Sequence, residues 1–432
     1  MKKLFLMGFV TLAFASCVSD KTVAPQTQDQ KYAAAFESFV GGKVNANVNW
    51  GFDDQLVTAF GKDGNLMRGV WANANEWSGK MNVPAEPTES EIDLVQKWFN
   101  DNPNPTVGVV VNWSDFFVFQ VWTQGYGNQN MDQICCGPNN QELEHINNFN
   151  LGGGTDNGWH GKSMFMSNSS SLKFTYECSL TDNKHKVYDH FIIIPGSVID
   201  ETLAGNYYVG FDFESDGSTG EKVVPADGNY ADYIVRINPA TYKNAKRVMV
   251  EDLIDSNLEK LDISDWDFND AVFDVAFVQE WNGSKNVDYA IITLWAAGGT
   301  KALTIGGKEV HELFGQPVST MINTNANGGV DGLAPVVFRV LLGDATYQDH
   351  NALEIATKVN STELVAKQGE STQKFAVPVG TKWMKERKII TGTYTEFQNY
   401  VRNNSPQDWY KTVSSENDLY TPAYISTAAS KY

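Results

Sequence analysis

The residues best suited to chemistry form an acidic loop in the second half of the chain. Asp265, Asp267, Asn269 and Asp270 place four oxygen-bearing side chains within six consecutive positions. Calcium binds about six to eight oxygen ligands, and carboxylates and amides at alternating positions of a looped chain can converge on one ion. The spacing therefore predicts a calcium site in this loop.

Further carboxylates lie close to this loop in the sequence. Glu251, Asp252 and Asp262 precede it, and we include them in the predicted site. Like charges about 4 Å apart repel one another by on the order of 1–4 kcal/mol, so the group favours a bound cation. The loop is not an EF-hand, because Asp270 and Ala276 stand where that motif carries Gly and Glu. The alternative interpretation is an acidic turn that caps its own backbone.

A second acidic loop contains Asp212, Glu214 and Asp216. It follows the EF-hand spacing as far as Gly217, but Val223 stands in place of the closing Glu. It is a second candidate metal loop, and a surface turn is the alternative.

Other motifs that carry chemistry are incomplete. Residues 161–163 resemble the end of a phosphate-binding loop, but Asp156 replaces its first glycine. His311 lacks the second histidine of a zinc-peptidase motif, since Gly315 stands there. The sequence therefore predicts no catalytic residues and a protein that is not an enzyme. Paired carboxylates for glycoside hydrolysis are left open, because such a pair is assembled in space and not along the chain.

The N-terminus has the features of an export signal. A positive start is followed by an almost wholly apolar run over residues 4–15, which is shorter than the about 20 residues that span a membrane. Small residues then precede Cys17, whose thiol can be lipidated. We predict a lipoprotein signal peptide over residues 1–17, lipidation of Cys17 and a polar tether over residues 18–30. Ordinary cleavage after Ala15 is the alternative.

The composition limits the partners of the protein. The chain has 432 residues, 42% of them hydrophobic, and a formal net charge of −19. An acidic surface repels the phosphates of nucleic acids, so we predict no nucleic-acid partner. Cations and neutral ligands such as glycans remain compatible with it. The 24 Phe, 17 Tyr and 12 Trp favour β-structure.

The elements that position the acidic loops fall into three regions. Residues 31–105 are predicted to be partly helical, with a capping box formed by Thr88 and Glu91. From residue 106 onwards, short apolar runs separated by Gly, Asn and Asp predict strands. We expect a mainly β protein built of β-sandwich or jelly-roll modules over residues 106–247 and 248–432. An arrangement in which both β regions share one sheet is the alternative.

Three cysteines follow the signal peptide. They are Cys135, Cys136 and Cys178, and an oxidising compartment permits one disulfide between them. Cys178 could pair with either of the other two. A zinc site is disfavoured, because its ligands are usually spaced two to four residues apart.

The second half of the chain contains five distinctive segments: VMVEDL at 248–253, SDWDFNDAVFDV at 264–275, LWAAGGT at 294–300, EVHELFG at 309–315 and WMKE at 383–386. Together they resemble the LruC-type domain, a family of lipoprotein domains found in Bacteroides-like bacteria and spirochaetes. The resemblance covers roughly residues 248–410. It implies an outer-membrane lipoprotein with a β-sandwich body, facing either the cell surface or the periplasm. It also implies a surface or adhesin-like role.

These observations together predict a cell-envelope lipoprotein that acts as a calcium-stabilised, non-catalytic binding module. Its membrane contact would be the N-terminal lipid, and its ligand a glycan or a protein. One alternative is a structural subunit of a fimbria-like surface assembly, which would need an edge strand open to a partner strand. The other is a carbohydrate-active enzyme.

Overall fold

The computed structural model of the chain is mainly β, as the sequence predicts. It describes residues 26–52, 57–60, 80–123, 131–136, 163–167, 174–179, 185–188, 190–212, 228–253, 266–281, 284, 286–344 and 355–421. The predicted signal peptide, Cys17 and most of the predicted tether lie outside these residues. Within the described ranges, no helix combines the length and the apolar character needed to cross a membrane.

The strands are short except for one central hairpin. In chain order they are β1 (Val57–Phe60), β2 (Asn112–Trp113), β3 (Asp115–Thr123), β4 (Met131–Cys136), β5 (Ser163–Ser167), β6 (Phe174–Ser179), β7 (His185–Tyr188), β8 (Phe191–Pro195), β9 (Tyr207–Phe211), β10 (Tyr233–Pro239), β11 (Lys246–Val250), β12 (Ala271–Trp281), β13 (Asn286–Ala296), β14 (Leu303–Ile305), β15 (Lys308–Glu309), β16 (Val336–Asp344), β17 (Thr357–Val359), β18 (Thr362–Glu363) and β19 (Lys374–Pro378).

The described helices are few, and the longest two lie in the N-terminal region. They are α1 (Gln28–Phe39), α2 (Glu89–Asp101), α3 (Gly196–Ile199), α4 (Val310–Leu313), α5 (Ile390–Thr393) and α6 (Phe397–Asn403). At the start of α2, the Thr88 hydroxyl accepts a hydrogen bond from the Glu91 N–H at 3.2 Å, as the predicted capping box requires. The Glu91 carboxylate, however, binds Arg236 with both of its oxygens. It therefore forms a tertiary ion pair in place of the return bond of the capping box.

The largest sheet has seven strands. Its order is β19-β11-β12-β13-β16-β2, and β1 adds to β12 in parallel beyond the end of β11. The β12–β13 hairpin forms its centre, because both strands are paired along most of their length. β2 comes from the predicted N-terminal β region but pairs in parallel with β16, so strands from distant parts of the chain complete this sheet.

A second, five-stranded sheet packs against the first. Its order is β5-β3-β10-β9-β8, and all of its neighbours are antiparallel. Val235 and Ile237 of β10 share a buried core with Ala276 and Val278 of β12. Ile234 points the other way, because side chains alternate along a strand, and packs in the core beneath α2. The two sheets thus form a sandwich with a helix on its outer face.

The other face of the seven-stranded sheet is covered by both ends of the described chain. Val275 and Phe277 of β12 share a core with Phe36 of α1 and with Phe397 of α6. The predicted regions 31–105 and 248–432 therefore pack as one core, and β11 crosses the boundary predicted between residues 247 and 248. The domain limits at residues 105 and 247 stay a prediction.

Two sheet edges are covered by neighbouring chain. Beside β19, the Ala376 N–H donates to the carbonyl of Trp50 at 2.7 Å. Gly51 has a φ of +87°, and a Cβ there would lie 2.1 Å from the Ala376 carbonyl oxygen, so only glycine permits this approach. Beside β8, the Val109 N–H donates to the carbonyl of Ile193.

The register of a small three-stranded sheet bears on the predicted disulfide. Cys135 and Cys136 of β4 lie opposite Thr175 and Phe174, which are three and four residues along β6 from Cys178. At about 3.3 Å per residue, this offset is roughly 10 Å or more. Disulfide-bonded cysteines have Cα atoms at most about 6.8 Å apart. The register thus fits neither pairing that the sequence offers to Cys178.

Candidate metal site

The candidate site lies at the end of the seven-stranded sheet where β11 stops and β12 begins. Val250 and Ala271 are paired across these antiparallel strands. The next residues along the ladder are therefore Glu251 and Asp270, and the Asp270 N–H donates to the carbonyl of Val250 at 3.1 Å. Sheet topology thus brings together carboxylates that are far apart in the sequence.

Three carboxylates meet at this point. One oxygen each from Glu251, Asp252 and Asp270 lies within 4.8 Å of the others. Glu251 and Asp252 are buried, and Asp270 is partly buried. We call Glu251, Asp252 and Asp270 the carboxylate cluster. Such a group of hard oxygen ligands is suited to calcium or another divalent cation.

Each carboxylate of the cluster accepts a hydrogen bond from the protein. Asp252 donates its N–H to Oδ2 of Asp270 at 2.5 Å. Phe268 donates its N–H to Oε2 of Glu251 at 3.2 Å. Lys301 donates from its ammonium group to Oδ1 of Asp252 at 2.9 Å. These bonds fix the carboxylates in place.

A two-glycine turn after β13 faces the remaining oxygens. A Cβ on Gly299 would lie 2.9 Å from Oδ2 of Asp252 and 3.2 Å from Oδ1 of Asp270. A Cβ on Gly298 would lie 2.2 Å from Oδ1 of Asn269. Real side chains do not approach so closely, so a side chain at either position would have to displace these oxygens.

The turn is held from the other side by a buried histidine. His311 of α4 is fully buried, and its Nε2 lies 3.0 Å from the carbonyl oxygen of Gly299. Its Nδ1 lies 2.7 Å from Oε1 of Glu309. This histidine thus supports the turn that lies against the carboxylate cluster.

The electrostatics of the cluster are unbalanced. Burial, followed by the negative charges of Asp270 and Asp267, raises the pKa of Glu251 well above its usual value. Lys301 is the cation that pairs with the cluster, through Asp252. With all three carboxylates ionised, the cluster and this ammonium group would carry two negative charges, which one divalent cation would neutralise.

The predicted ligands of the acidic loop divide into separate roles. Asp270 belongs to the cluster, whereas Asp267 accepts hydrogen bonds from the N–H of Arg387 at 2.6 Å and from that of Asn269 at 3.4 Å. Asp267 therefore braces the loop against a turn near the C-terminus. Asp262 and Asp265 lie outside the described residues.

Asn269 is fully buried, and its two side-chain atoms differ. Its Nδ2 donates to the carbonyl of Met384 at 3.2 Å, but its Oδ1 has no hydrogen-bond partner. A buried carbonyl oxygen without a donor is costly, and such an atom calls for a ligand. Asn269 thus remains a candidate ligand beside the cluster.

The second acidic loop is only partly described. Asp212 is buried, and its Oδ2 accepts a hydrogen bond from the N–H of Gly228 at 2.8 Å. Glu214 and Asp216 lie outside the described residues. The role of Asp212 in the structure is thus to close its loop, and a metal at this loop stays a prediction.

Three residues near the cluster escaped the sequence analysis as parts of the site. Lys301, Gly298 and Gly299 have no acidic neighbours in the sequence, and only the LWAAGGT segment of the family resemblance includes the two glycines. No local spacing connects them to Glu251. That resemblance was the one signal that could have found the turn.

The N-terminal helix α1 packs against the same loop. The Phe39 ring stacks on Trp266 at 4.8 Å between ring centroids, with an angle of 10° between the planes. Tyr32 donates from its hydroxyl to the Thr372 carbonyl at 2.7 Å. Burial, followed by the charges of Glu251 and Asp270, raises the pKa of the Tyr32 hydroxyl. The helix that begins within the predicted tether thus lies next to the candidate site.

Comparison with known proteins gives little more. No family model matches the chain, and no curated protein matches it significantly. A crystallised protein of Bacteroides ovatus, provisionally named a lipoprotein, is 14% identical; the match covers 59% of this chain and 91% of that one, with a TM-score of 0.30. At this level of similarity, the resemblance to the LruC-type domain stays a prediction.

Proposed function

We propose that this chain is a cell-envelope lipoprotein whose β body is a non-catalytic binding module, stabilised by one calcium ion at Glu251, Asp252 and Asp270. The observation that carries the proposal is the convergence of three buried or partly buried carboxylates within 4.8 Å, with one lysine to offset them. Removing charged groups from water is costly unless opposite charge compensates them. A divalent cation supplies that compensation.

The ion would act on stability and not on a reaction. It would connect the end of β11 to the start of β12, together with the loop that Asp267 braces. An ion that binds only the folded state stabilises it by mass action, by about 2.7 kcal/mol at a hundredfold excess over the dissociation constant.

The membrane anchor in this proposal is a lipid on Cys17. Its support is the signal-like N-terminus. The helix α1 begins at Gln28, so the last three residues of the tether predicted over residues 18–30 are helical. The anchor would hold the body at the outer membrane, towards the surface or the periplasm. Labelling of the wild type with palmitate in cells, and loss of the label in Cys17→Ser, tests this part; an unlabelled wild type would exclude the anchor.

A fimbria-like subunit is the less favoured alternative. It would need a sheet edge open to a partner strand. Trp50 bonds to part of the edge at β19, and Val109 bonds to part of the edge at β8. These two edges are thus partly occupied within the chain itself, whereas β2 and β5 form the opposite edges of the two sheets. A glycan or protein ligand for the module is compatible with the acidic surface.

Thermal unfolding of the purified full chain tests the calcium proposal. We expect calcium to raise the melting temperature of the wild type relative to EGTA, and Asp270→Asn to lose most of that increment. Asp101→Asn is the matched control: it removes an exposed carboxylate of α2 away from the cluster, and it should keep the calcium increment. A wild type that melts at the same temperature with and without calcium would rule out the proposed ion.

A further inference from the structure

We infer that the side chains of His311 and Glu309 share a proton that holds the two-glycine turn at residues 298–299 in place, and that this contact opens when the proton leaves as pH rises. We call the proton-dependent contact the His311 latch. The inference goes beyond the proposed function, because the latch needs no metal ion. It makes one end of the seven-stranded sheet sensitive to pH.

The hydrogen bonds of the His311 ring require the additional proton. Nε2 of the ring lies 3.0 Å from the carbonyl oxygen of Gly299, and Nδ1 lies 2.7 Å from Oε1 of Glu309. A backbone carbonyl and an ionised carboxylate are both acceptors, whereas a neutral imidazole donates from only one of its two nitrogens. Two contacts with acceptors therefore need one proton more than a neutral ring carries, and that proton lies between Nδ1 and Oε1.

Burial makes the latch depend on this proton. The imidazole is fully buried, so water does not take the place of either partner. Without the proton, one ring nitrogen would face an acceptor with no hydrogen between them. A buried polar atom that loses its hydrogen bond is unfavourable, so one of the two contacts must open.

The charged groups around the ring come from the elements that pack against α4, which are β14 and β15. The residues of β14 are uncharged. β15 supplies Glu309 and Lys308, but the Lys308 ammonium group lies over the Phe338 ring at 5.1 Å. α4 itself supplies Glu312, which is exposed. Glu309 is therefore the charged partner of the ring among the described residues.

Further charged groups lie on the other side of the turn. They are the carboxylate cluster and Lys301, which pairs with Asp252 of that cluster. A Cβ on Gly299 would lie 2.9 Å from Oδ2 of Asp252, so these groups can also influence the turn when they titrate. A test of the latch must therefore separate its proton from theirs.

The latch connects a helix cap to the start of β12. Oε2 of Glu309 accepts a hydrogen bond from the N–H of Glu312 at 2.8 Å, so the carboxylate that binds His311 also caps α4. On the other side, the Gly299 N–H donates to the carbonyl of Asp270 at 3.3 Å. Opening of the latch would thus disconnect α4 from the turn that contacts the loop before β12.

Glu309→Gln tests the latch, because an amide N–H can replace the shared proton. The amide oxygen of the glutamine can accept the Glu312 N–H, while its nitrogen donates to Nδ1 of a neutral His311. The measurement is carbon NMR of the full chain in EGTA, with histidine rings and glycine carbonyls labelled. We expect the Gly299 carbonyl of the wild type to shift with the same midpoint pH as the His311 ring, and this shared shift to be lost in Glu309→Gln.

Glu312→Gln is the matched control, since it removes an exposed carboxylate of the same helix and retains Glu309. Its shared midpoint should remain. The carboxylate cluster is present in all three proteins, so its titration does not distinguish them. A Gly299 carbonyl that stays in place while the wild-type ring titrates would overturn the inference, as would a shared midpoint that persists in Glu309→Gln. The wild-type comparison decides the question even if Glu309→Gln fails to fold.

Discussion

The two sheets bury charge in different ways. Between α2 and the five-stranded sheet, Arg236 binds both oxygens of Glu91 at 2.8 and 2.9 Å, and the Tyr208 hydroxyl donates to the same carboxylate at 2.8 Å. At the end of the seven-stranded sheet, the carboxylates of Glu251, Asp252 and Asp270 meet. Among the described residues, the ion pair at this cluster is the one between Lys301 and Asp252.

The Arg236–Glu91 pair contains one positive and one negative group, whereas the carboxylate cluster has more acidic groups than described cations. A guanidinium group matches one carboxylate in charge and geometry, so the pair of Arg236 and Glu91 requires no ion. The pair connects α2 to the five-stranded sheet, and its contribution to stability should not depend on calcium. The carboxylate cluster holds three acidic groups against one described lysine, so its stability should depend on the pH and the calcium concentration of the solution.

The largest expected effect comes from breaking the balanced pair. Arg236→Met leaves the buried carboxylate of Glu91 without its cation, and we expect the free energy of unfolding to fall by about 3–5 kcal/mol. Urea unfolding should give the same loss in calcium and in EGTA, because the cluster is not involved.

A double variant checks that explanation. Glu91→Gln together with Arg236→Met removes both charges, and it should recover a large part of the lost stability. A loss that differed between calcium and EGTA would contradict the separation of the two regions.

A smaller effect is expected from pH at the unbalanced cluster. The raised pKa of Glu251 means that the folded protein holds this proton more tightly than the unfolded chain does. Without calcium, the stability from this group is present below the unfolded pKa and is lost as pH rises through the folded pKa. With calcium, the ionised carboxylate is a ligand, so the loss is offset.

The difference in melting temperature between calcium and calcium-free buffers should therefore widen as pH rises from about 5 to 8. Groups outside the cluster titrate in both buffers, so their contributions cancel in this difference. Asp270→Asn is the control, and its difference should stay small throughout. A gap in the wild type that narrows with rising pH would contradict the assignment of Glu251 to the site.

Local patterns predicted elements well where neighbours in the sequence decide the conformation. The alternation of apolar residues after Asp270 predicts a strand over residues 271–278, and β12 begins at Ala271 and extends to Trp281. The Thr88 cap at the start of α2 also formed, since it needs only residues three positions apart. The return bond of that capping box, from the Thr88 N–H to the Glu91 carboxylate, did not form. The carboxylate binds the charged guanidinium group of Arg236 instead, which is a stronger partner than a neutral N–H.

In the acidic loop, the spacing of the residues in the sequence did not determine which side chains meet. The prediction treated Asp267, Asn269 and Asp270 as ligands that converge on one ion. Phe268 adopts a left-handed φ of +52° and is fully buried, with its ring 5.0 Å from that of Phe375. Such a conformation is costly for a bulky residue and is held here by packing. It interrupts the alternation on which the spacing argument depends.

The sequence by itself determined the β-rich class, the strand that follows the acidic loop and the acidic character of residues 251, 252 and 270. Only the tertiary structure decided which carboxylates meet. Pairing of β11 with β12 sets Glu251 beside Asp270, and the end of β13 brings in Gly299 and Lys301. The physical reason is that strand formation follows local patterns, whereas the charge balance of a site is summed over groups that only the packed sheet brings within a few ångströms.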